Sequence, residues 1–202
     1  MIDYALTTIV RVKDRLQITT TLFDDVLNRM VAAATGRIEQ ITGRRFASTT
    51  HANELYDGSD DYGFAKSTTI LKNAPVTSIG GIAYKTGLNS APIWTTMSQD
   101  TYNVALVDGI VYTTMPTGRQ NIRMVYTAGY EINWSDTYGT THTLPYDVTD
   151  VCERLVVKMF KKRDSEGRSQ ESFGESSITW EKGLIDEQEM NIILGYVRND
   201  FV

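Results

Sequence analysis

The feature that most constrains this fold is a change in the spacing of apolar residues along the chain. Near both ends they recur every three or four residues. From about residue 46 the chain is instead rich in Thr, Ser, Gly, Asn and Tyr, and its apolar residues alternate. The first spacing buries one face of a helix and the second buries one face of a strand. We therefore predict an α+β fold, in which the N- and C-terminal helices form one helical bundle and a small antiparallel β-sheet or barrel is inserted between them.

Two helices are predicted in the N-terminal part of the chain. The first covers residues 7–17, where Thr7 or Thr8 can cap the helix through its hydroxyl. The second follows a loose capping signal at Thr21 and ends at Gly43, since glycine tolerates the left-handed conformation that closes many helices. Its predicted apolar face consists of Phe23, Val26, Leu27, Met30, Ala34, Ile38 and Ile41.

The C-terminal part predicts two more helices, separated by a polar tract. Pro145 suits the first turn of the third helix, because the N–H that proline lacks has no helical partner there. The tract over residues 164–177 is too polar to fold alone, so we predict that it stays mobile until a partner orders it. The final helix begins near Asp186. The predicted apolar face of the third helix consists of Val148, Val151, Cys152, Leu155, Val156, Met159 and Phe160.

The clearest strand signal is a hairpin in the middle of the chain. Tyr102–Leu106 and Ile110–Tyr112 are separated by a turn that contains Asp108 and Gly109. An Asp-Gly pair tolerates the positive φ angles that a tight hairpin turn needs. Alternating apolar residues near Tyr126 predict a further strand, so several antiparallel strands are expected in this region.

The helical and the alternating spacing of apolar residues define the predicted domains. Residues 1–47 and 144–202 form the helical bundle, and residues 48–143 form the inserted β domain. Within the bundle, residues 164–202 are predicted to be a mobile C-terminal docking segment.

Reactive side chains are scarce, with 2 His and 1 Cys among 202 residues. This scarcity excludes most histidine-based catalysis and any cluster of His and Cys ligands around a metal. The single cysteine, Cys152, excludes an internal disulfide and fits a reducing compartment. A formal net charge of -5 argues against a general nucleic-acid binder. We therefore predict no enzyme, with no catalytic residue, no cofactor and no metal site.

Three charged groups have a functional and a plain structural interpretation. The run Tyr56–Asp61 contains three carboxylates that could hold a hard cation, but it lacks calcium-loop spacing, so we expect a solvated turn. Acidic residues on the early turns of the third helix are expected to favour its positive end rather than to act as acid and base. They are Asp147, Asp150 and Glu153. A basic cluster could contact phosphate or an acidic partner, or could be a solvated helix end. It comprises Lys158, Lys161, Lys162 and Arg163.

Aromatic residues in polar surroundings are candidates for interface anchors. Packing against their own domain is an equally open interpretation. They are Trp94, Trp134, Trp180, Tyr130 and Tyr138.

Five short segments occur along the chain in an order that, taken together, resembles the order found in a known protein family. They are Ile41–Phe46, Glu54–Gly58, Asn73–Ile79, Val125–Tyr130 and Leu144–Val148. Together with a third helix that ends in Lys-Lys-Arg-Asp and a Gly/Ser/Glu tract, this order resembles the head–tail connector (adaptor) proteins of tailed bacteriophages. The resemblance covers most of residues 5–180.

The resemblance implies a structural protein of the virion, made in the host cytoplasm and placed at the head–tail interface. Such adaptors dock on the portal protein as a homo-oligomeric ring, a dodecamer, that extends the DNA channel and provides an attachment surface for a stopper or tail-completion protein. DNA passes through that channel without specific binding, and no membrane is involved. Two alternatives are another neck or tail-completion (stopper) protein and, from a different class, a cell-wall-acting hydrolase.

The resemblance also implies a docking role for the C-terminal segment, which in this family reaches the portal. Carried over to this sequence, that segment is residues 164–202, where the polar tract supplies reach and an apolar stripe makes the contact. The residues predicted to bind the portal or a neighbouring subunit are Trp180, Met190, Ile193, Leu194, Val197 and Phe201.

Overall fold

The structure is a computed structural model with an α+β fold that divides into two compact units. Met1–Arg44 and Ile132–Arg198 form the first, which we call the helical unit, and Arg45–Glu131 form the second, the β unit. The residues that the structure describes are 4–88, 91–135, 142–163, 170–173, 176–179 and 184–197.

The helical unit contains the four predicted helices, which are α1 (Ile9–Leu16), α2 (Asp24–Thr42), α3 (Tyr146–Lys162) and α4 (Glu187–Leu194). Thr8 caps α1 as predicted, because its hydroxyl accepts a hydrogen bond from the Arg11 N–H. Gly43 ends α2 with a positive φ of 67°. The Thr21 signal is wrong as a side-chain cap, since Phe23 occupies the N-cap position of α2 and makes no such bond. In the part of the chain that is described, no helix has both the length and the apolarity needed to cross a membrane.

The core of the helical unit lies between helices that are distant in sequence. α2 packs on α3, α1 contacts both, and α4 also contacts both. The buried face of α2 is rotated relative to the prediction, because Val31 and Thr35 are buried while Met30 and Ile41 are only half-buried. The buried apolar residues include Leu6, Val12, Leu27, Ala34, Ile38, Val151, Leu155, Val156 and Ile193.

The β unit contains two antiparallel sheets. The larger has the strand order β1-β7-β3-β4 and the smaller has the order β2-β6-β5. The predicted hairpin is confirmed as β5 paired with β6, and Gly109 in its turn has a φ of 62°. The strands are β1 (Thr49–Tyr56), β2 (Thr68–Ile70), β3 (Val76–Leu88), β4 (Ala91–Thr96), β5 (Asn103–Ala105), β6 (Ile110–Tyr112) and β7 (Ile122–Ala128).

Strand β7 is central to the larger sheet and explains the alternation in the sequence. Ile122, Met124, Tyr126 and Ala128 are buried and the residues between them are half-buried. After β7 the chain turns at Gly129, which has a φ of +114° and whose added Cβ would lie 2.6 Å from the carbonyl oxygen of Ala47. Both the conformation and the close approach require glycine at this position.

The polar tract after α3 contains a short hairpin, formed by β8 (Gln170–Phe173) and β9 (Ser176–Thr179). The two strands pair antiparallel, from Gln170 opposite Thr179 to Phe173 opposite Ser176. That residues 164–177 stay mobile until a partner orders them remains a prediction, and residues 164–169 and 174–175 lie outside the described part of the chain.

Truncation of a core side chain tests the helical packing. Leu155 on α3 is 2% exposed, so Leu155→Ala should lower the free energy of unfolding by about 2–5 kcal/mol through lost burial and a residual cavity. Leu22, which is 79% exposed, is the matched control, and Leu22→Ala should change stability by less than about 0.5 kcal/mol. Urea denaturation followed by circular dichroism measures both. Equal effects of the two variants would contradict the described core.

Candidate partner-binding surface

Helix α4, which carries three of the six predicted partner-binding residues, begins with a capping box. The Asp186 carboxylate accepts a hydrogen bond from the Glu189 N–H at 2.8 Å. The Glu189 carboxylate in turn accepts one from the Asp186 N–H at 3.0 Å. These two bonds satisfy donors that a helix start leaves without helical partners. A helix of this length is too short to be stable by itself, so its remaining stability comes from packing.

Lys158 on α3 connects that helix to the start of α4. Its Nζ lies 2.8 Å from Asp186 Oδ2 and 2.8 Å from Glu189 Oε2. Burial alone would lower the pKa of Lys158, but the two carboxylates outweigh it and the pKa is raised. The pKa of Asp186 is lowered by the Glu189 backbone N–H and by Lys158. Lys158 is therefore engaged within the molecule rather than free for phosphate.

The rest of the basic cluster does not form one cationic surface. The Arg163 guanidinium lies over the ring of Phe160, at 3.7 Å from its centroid, and 5.0 Å from the centroid of Phe23. Such a position covers apolar surface and is weakly favourable. Lys161 is exposed on the last turn of α3, as the interpretation of a solvated helix end expects.

The far end of α4 is held against the start of α3. The Tyr196 hydroxyl lies 2.8 and 2.9 Å from the two carboxylate oxygens of Asp147. Since Lys158 near the end of α3 holds the beginning of α4, the two helices run antiparallel. Helix α4 is thus fixed at both ends to its own unit.

The predicted partner-binding residues divide between the core and the surface. Ile193 is 3% exposed and belongs to the core of the helical unit, whereas Leu194 is 51% exposed. Met190 and Val197 are half-buried. Trp180 and Phe201 lie outside the described residues. The structure therefore places three of the six on α4 and Val197 just beyond its end, and Leu194 is the most exposed of these four.

A second set of ion pairs ties α1 to α3. Glu153, whose side chain is 6% exposed, accepts hydrogen bonds from Arg11 Nε at 2.6 Å and from the Thr7 hydroxyl at 3.2 Å. Arg15 Nε is 3.4 Å from the other Glu153 oxygen. The sequence predicted that Glu153 interacts with the positive end of the α3 dipole, but it did not predict these contacts with α1. The carboxylate is buried at the contact with α1, where the two arginines balance its charge.

Asp150 extends this network at the surface. It pairs with Arg15 and, at 2.7 Å, with Arg154 one turn further along α3. Burial acts to raise the pKa of Asp150, but the hydrogen bonds and charges of the two arginines outweigh it and the pKa is lowered. The arginine pairing therefore stabilises the ionised carboxylate.

The cysteine and the two histidines, which are the residues with catalytic potential, pack against other residues of the chain. Cys152 is fully buried, and burial raises the pKa of its thiol to about 12. His142 accepts a hydrogen bond from the Asn133 N–H at 3.2 Å, and its ring centroid lies 4.6 Å from that of Trp134. His51 stacks on Tyr126 at 5.0 Å, and burial lowers the pKa of its imidazole. These environments favour an unreactive thiol and packed imidazoles.

The acidic loop after β1 uses its carboxylates to close turns. Asp60 Oδ1 accepts hydrogen bonds from the N–H groups of Tyr62 at 3.0 Å and Phe64 at 2.8 Å. Asp57 Oδ1 accepts one from the Gln120 N–H at 2.6 Å. Among the described residues, no group of three or more His, Cys, Asp or Glu is placed to hold a metal ion. The expected turn accounts for these carboxylates.

The candidate aromatic anchors that the structure describes pack locally. The Arg123 guanidinium covers Trp94 at 4.6 Å from the ring centroid, and Tyr130 stacks on Phe46 at 6.4 Å. Trp134 packs against His142, while Trp180 and Tyr138 lie outside the described residues.

Two other aromatic side chains are far more exposed, and sequence reasoning missed them. Tyr62 is 88% exposed and Phe64 is 71% exposed, on either side of Gly63. A signal for them was present, since both lie in an Asp- and Gly-rich turn with no alternating pattern that would bury them.

The profile of a family described as head completion protein matches residues 5–199. The chain belongs to the head completion protein family. The resemblance to the phage head–tail connectors is thereby confirmed, and membership of this family indicates a structural virion protein. No curated protein matches the chain.

Two solved structures show that this chain shares its fold with chains of gene transfer agent particles. One chain, from the neck of an empty GTA particle computed with C6 symmetry, has a TM-score of 0.58 at 16% identity. A second, from the virion of a native gene transfer agent (GTA) particle, has a TM-score of 0.55 at 15% identity. Each alignment covers 96% of this chain and 90% of the other. The likeness therefore extends over nearly the whole chain.

Removal of the Lys158 ammonium tests the anchoring of α4. Lys158→Ala leaves the Glu189 carboxylate, which is 1% exposed, without its cation, at a cost of about 1–3 kcal/mol. Hydrogen exchange of the α4 amides should become faster by roughly an order of magnitude or more, because a short helix opens locally. Lys161→Ala, on the exposed side of the same helix, should leave this exchange unchanged. Unchanged exchange in both variants would contradict the anchor.

Acidification tests the Asp150 network. The folded-state pKa of Asp150 lies below its unfolded value of about 3.9, so its contribution is present above that value and is lost as the pH falls through the folded pKa. Free energies of unfolding measured from pH 6 to pH 2 should therefore fall less steeply for Asp150→Asn than for the unsubstituted protein. Asp25→Asn, an exposed position on α2, provides the control. Parallel pH profiles for all three proteins would show that the pairing contributes nothing.

Proposed function

We propose that this protein is a head–tail adaptor that docks on the portal as a homo-oligomeric ring. The ring extends the DNA channel and presents the surface to which a stopper or tail protein attaches. The observation that carries this proposal is the family match over residues 5–199, together with a fold shared over nearly the full length with a neck component. A chain that matches along its whole length uses its whole fold, rather than one motif, for its role.

The proposed ring is a dodecamer. The neck of the first neighbour was computed with C6 symmetry, and a ring of twelve copies contains that symmetry, as a ring of six also does. The formal net charge of -5 suits a channel through which DNA slides without binding. The same family match also supports the alternative of another neck or stopper protein. The descriptions 'head completion' and 'neck' do not specify which ring between the head and the tail a protein forms.

We assign portal docking to α4 and the chain around it. The contacts of α1, α2, α3 and α4 with one another support one bundle built from both ends of the chain. On that bundle α4 is held at both ends, so it presents a rigid surface on which Leu194 is 51% exposed. Leu184, in the chain just before α4, is 43% exposed. Apolar side chains on a pre-ordered helix fit the groove of a partner at a low entropic cost.

A count of copies in purified particles is the direct test of the ring. Quantitative mass spectrometry of virions should find this protein and the portal protein in equal numbers. A ratio of one half would favour a ring of six on a portal of twelve. Absence from the particle would overturn the structural role.

A point substitution tests the docking surface. Deletion of residues 184–202 would also remove Ile193 from the core, so Leu194→Asp is the cleaner change. We expect this variant to be folded by circular dichroism but incorporated into particles at least about tenfold less, since a buried unpaired carboxylate costs several kcal/mol. The matched control is Leu22→Asp at an exposed leucine outside α4, which should be incorporated normally. Normal incorporation of Leu194→Asp would remove α4 from the portal contact.

A further inference from the structure

A groove in the β unit lies along two outer strands. It has a volume of about 500 Å³ and is lined by residues of β1 and β2 and of the loop that joins them, among them Leu55, Lys66 and Thr69. β1 pairs only with β7 and β2 pairs only with β6, so each is the last strand of its sheet in the described structure. An outer strand retains a row of backbone N–H and C=O groups that an extended segment can pair with.

The charges of the groove favour a ligand with a carboxylate. Asp57 and Asp60 also line it, but their carboxylates already accept hydrogen bonds from backbone N–H groups. Lys66 and Lys72 make no ion pair with any residue that the structure describes, although the Lys72 ammonium lies 5.5 Å from the centroid of the Tyr56 ring. The groove thus offers two ammonium groups while its carboxylates are satisfied internally.

The β8–β9 hairpin has the complementary features. Its two four-residue strands form a sheet of their own and pair with no further strand of the described chain. A two-stranded hairpin alone is marginally stable in water, and an additional strand stabilises it. Its strands contain Glu171 and neither Lys nor Arg, and the remaining residues are Gln, Ser, Phe, Ile and Thr.

We propose that the β8–β9 hairpin of one copy of this protein docks in the groove between β1 and β2 of a neighbouring copy. The hairpin adds its backbone to an outer strand and places Glu171 near Lys66 and Lys72. A second copy is the occupant, because within one chain the hairpin remains a separate sheet. The inference rests on the proposed ring only in requiring copies side by side, and it identifies the contact that closes that ring.

Cross-linking between copies tests the contact in solution. A Ser67→Cys variant in the groove, mixed with a Ser172→Cys variant in the hairpin, should give a disulfide-linked pair of the two chains under mild oxidation at high protein concentration. Ser78→Cys, at an exposed serine of the β unit outside the groove, replaces Ser67→Cys in the control and should give at least about tenfold less of that pair. Equal yields from the two mixtures would overturn the proposal. The native Cys152 is fully buried and stays in all variants.

Charge exchange tests the same contact in particles. The groove variant Lys66→Glu/Lys72→Glu and the hairpin variant Glu171→Lys should each be incorporated at least about tenfold less, because like charges now meet. Co-expression of the two variants should restore incorporation, since each groove then accepts the other variant's hairpin. Lys161→Glu, a reversal on an exposed helix position, should have no effect.

The outcomes separate this inference from the proposed function. A triple variant carries Lys66→Glu, Lys72→Glu and Glu171→Lys in the same chain. If this variant is incorporated normally but co-expression of the two separate variants does not restore incorporation, the hairpin docks in its own chain, and the assignment to a second copy is overturned. Normal incorporation of both charge-reversed variants would overturn the docking and leave the adaptor role intact. Absence of the unsubstituted protein from particles would overturn the adaptor role, and the cross-linking yield would then decide the docking by itself.

Discussion

The packing of α2 on α3 is the contact on which the helical unit depends. These helices are separated in sequence by the whole β unit, so the chain must return after residue 131 to complete a core that begins at Leu6. Thr35 on α2 shows how close the approach is, because its hydroxyl accepts a hydrogen bond from the Leu6 N–H at 3.2 Å and lies 4.0 Å from Cys152 Sγ. The loss of entropy on closing so long a loop grows only slowly with its length, so an insertion of this size is compatible with a stable core in the helical unit.

Two buried carboxylates orient the shorter helices on that core. Glu153 on α3 forms ion pairs with Arg11 and Arg15 of α1, and Glu189 on α4 forms an ion pair with Lys158 of α3. Because a buried carboxylate without a cation is strongly unfavourable, each pair selects one arrangement of its helices even where its net contribution to stability is small. The same pairs engage Arg11, Arg15 and Lys158 within the molecule's own network. On α4, Leu194 is exposed together with the polar residues Glu187, Gln188 and Asn191.

The features available for assembly lie on both units and are of different kinds. The helical unit presents an anchored helix and a self-paired hairpin, and the β unit presents two outer strands beside a groove. Exposed aromatic side chains at Tyr62 and Phe64 add a further apolar site on the β unit. The Cys152 and His51 side chains, by contrast, are packed within the molecule, where burial raises the pKa of the thiol and lowers the pKa of the imidazole.

The sequence by itself determined the features that depend only on residues close to one another along the chain, namely helices, their ends and tight turns. Helical periodicity, the Thr8 cap, the Gly43 end and the Asp-Gly hairpin could be predicted, because each is set within a few residues. The order of short motifs along the chain indicated the family. The tertiary structure alone decided which charges meet and which apolar side chains remain exposed. Ile193 and Leu194 are adjacent and similar in sequence, yet one is buried and the other is exposed, because the packing of α4 on α2 and α3 selects the buried face. Likewise, no local pattern shows that β1 and β2 are outer strands, since strand order arises only when distant segments pair.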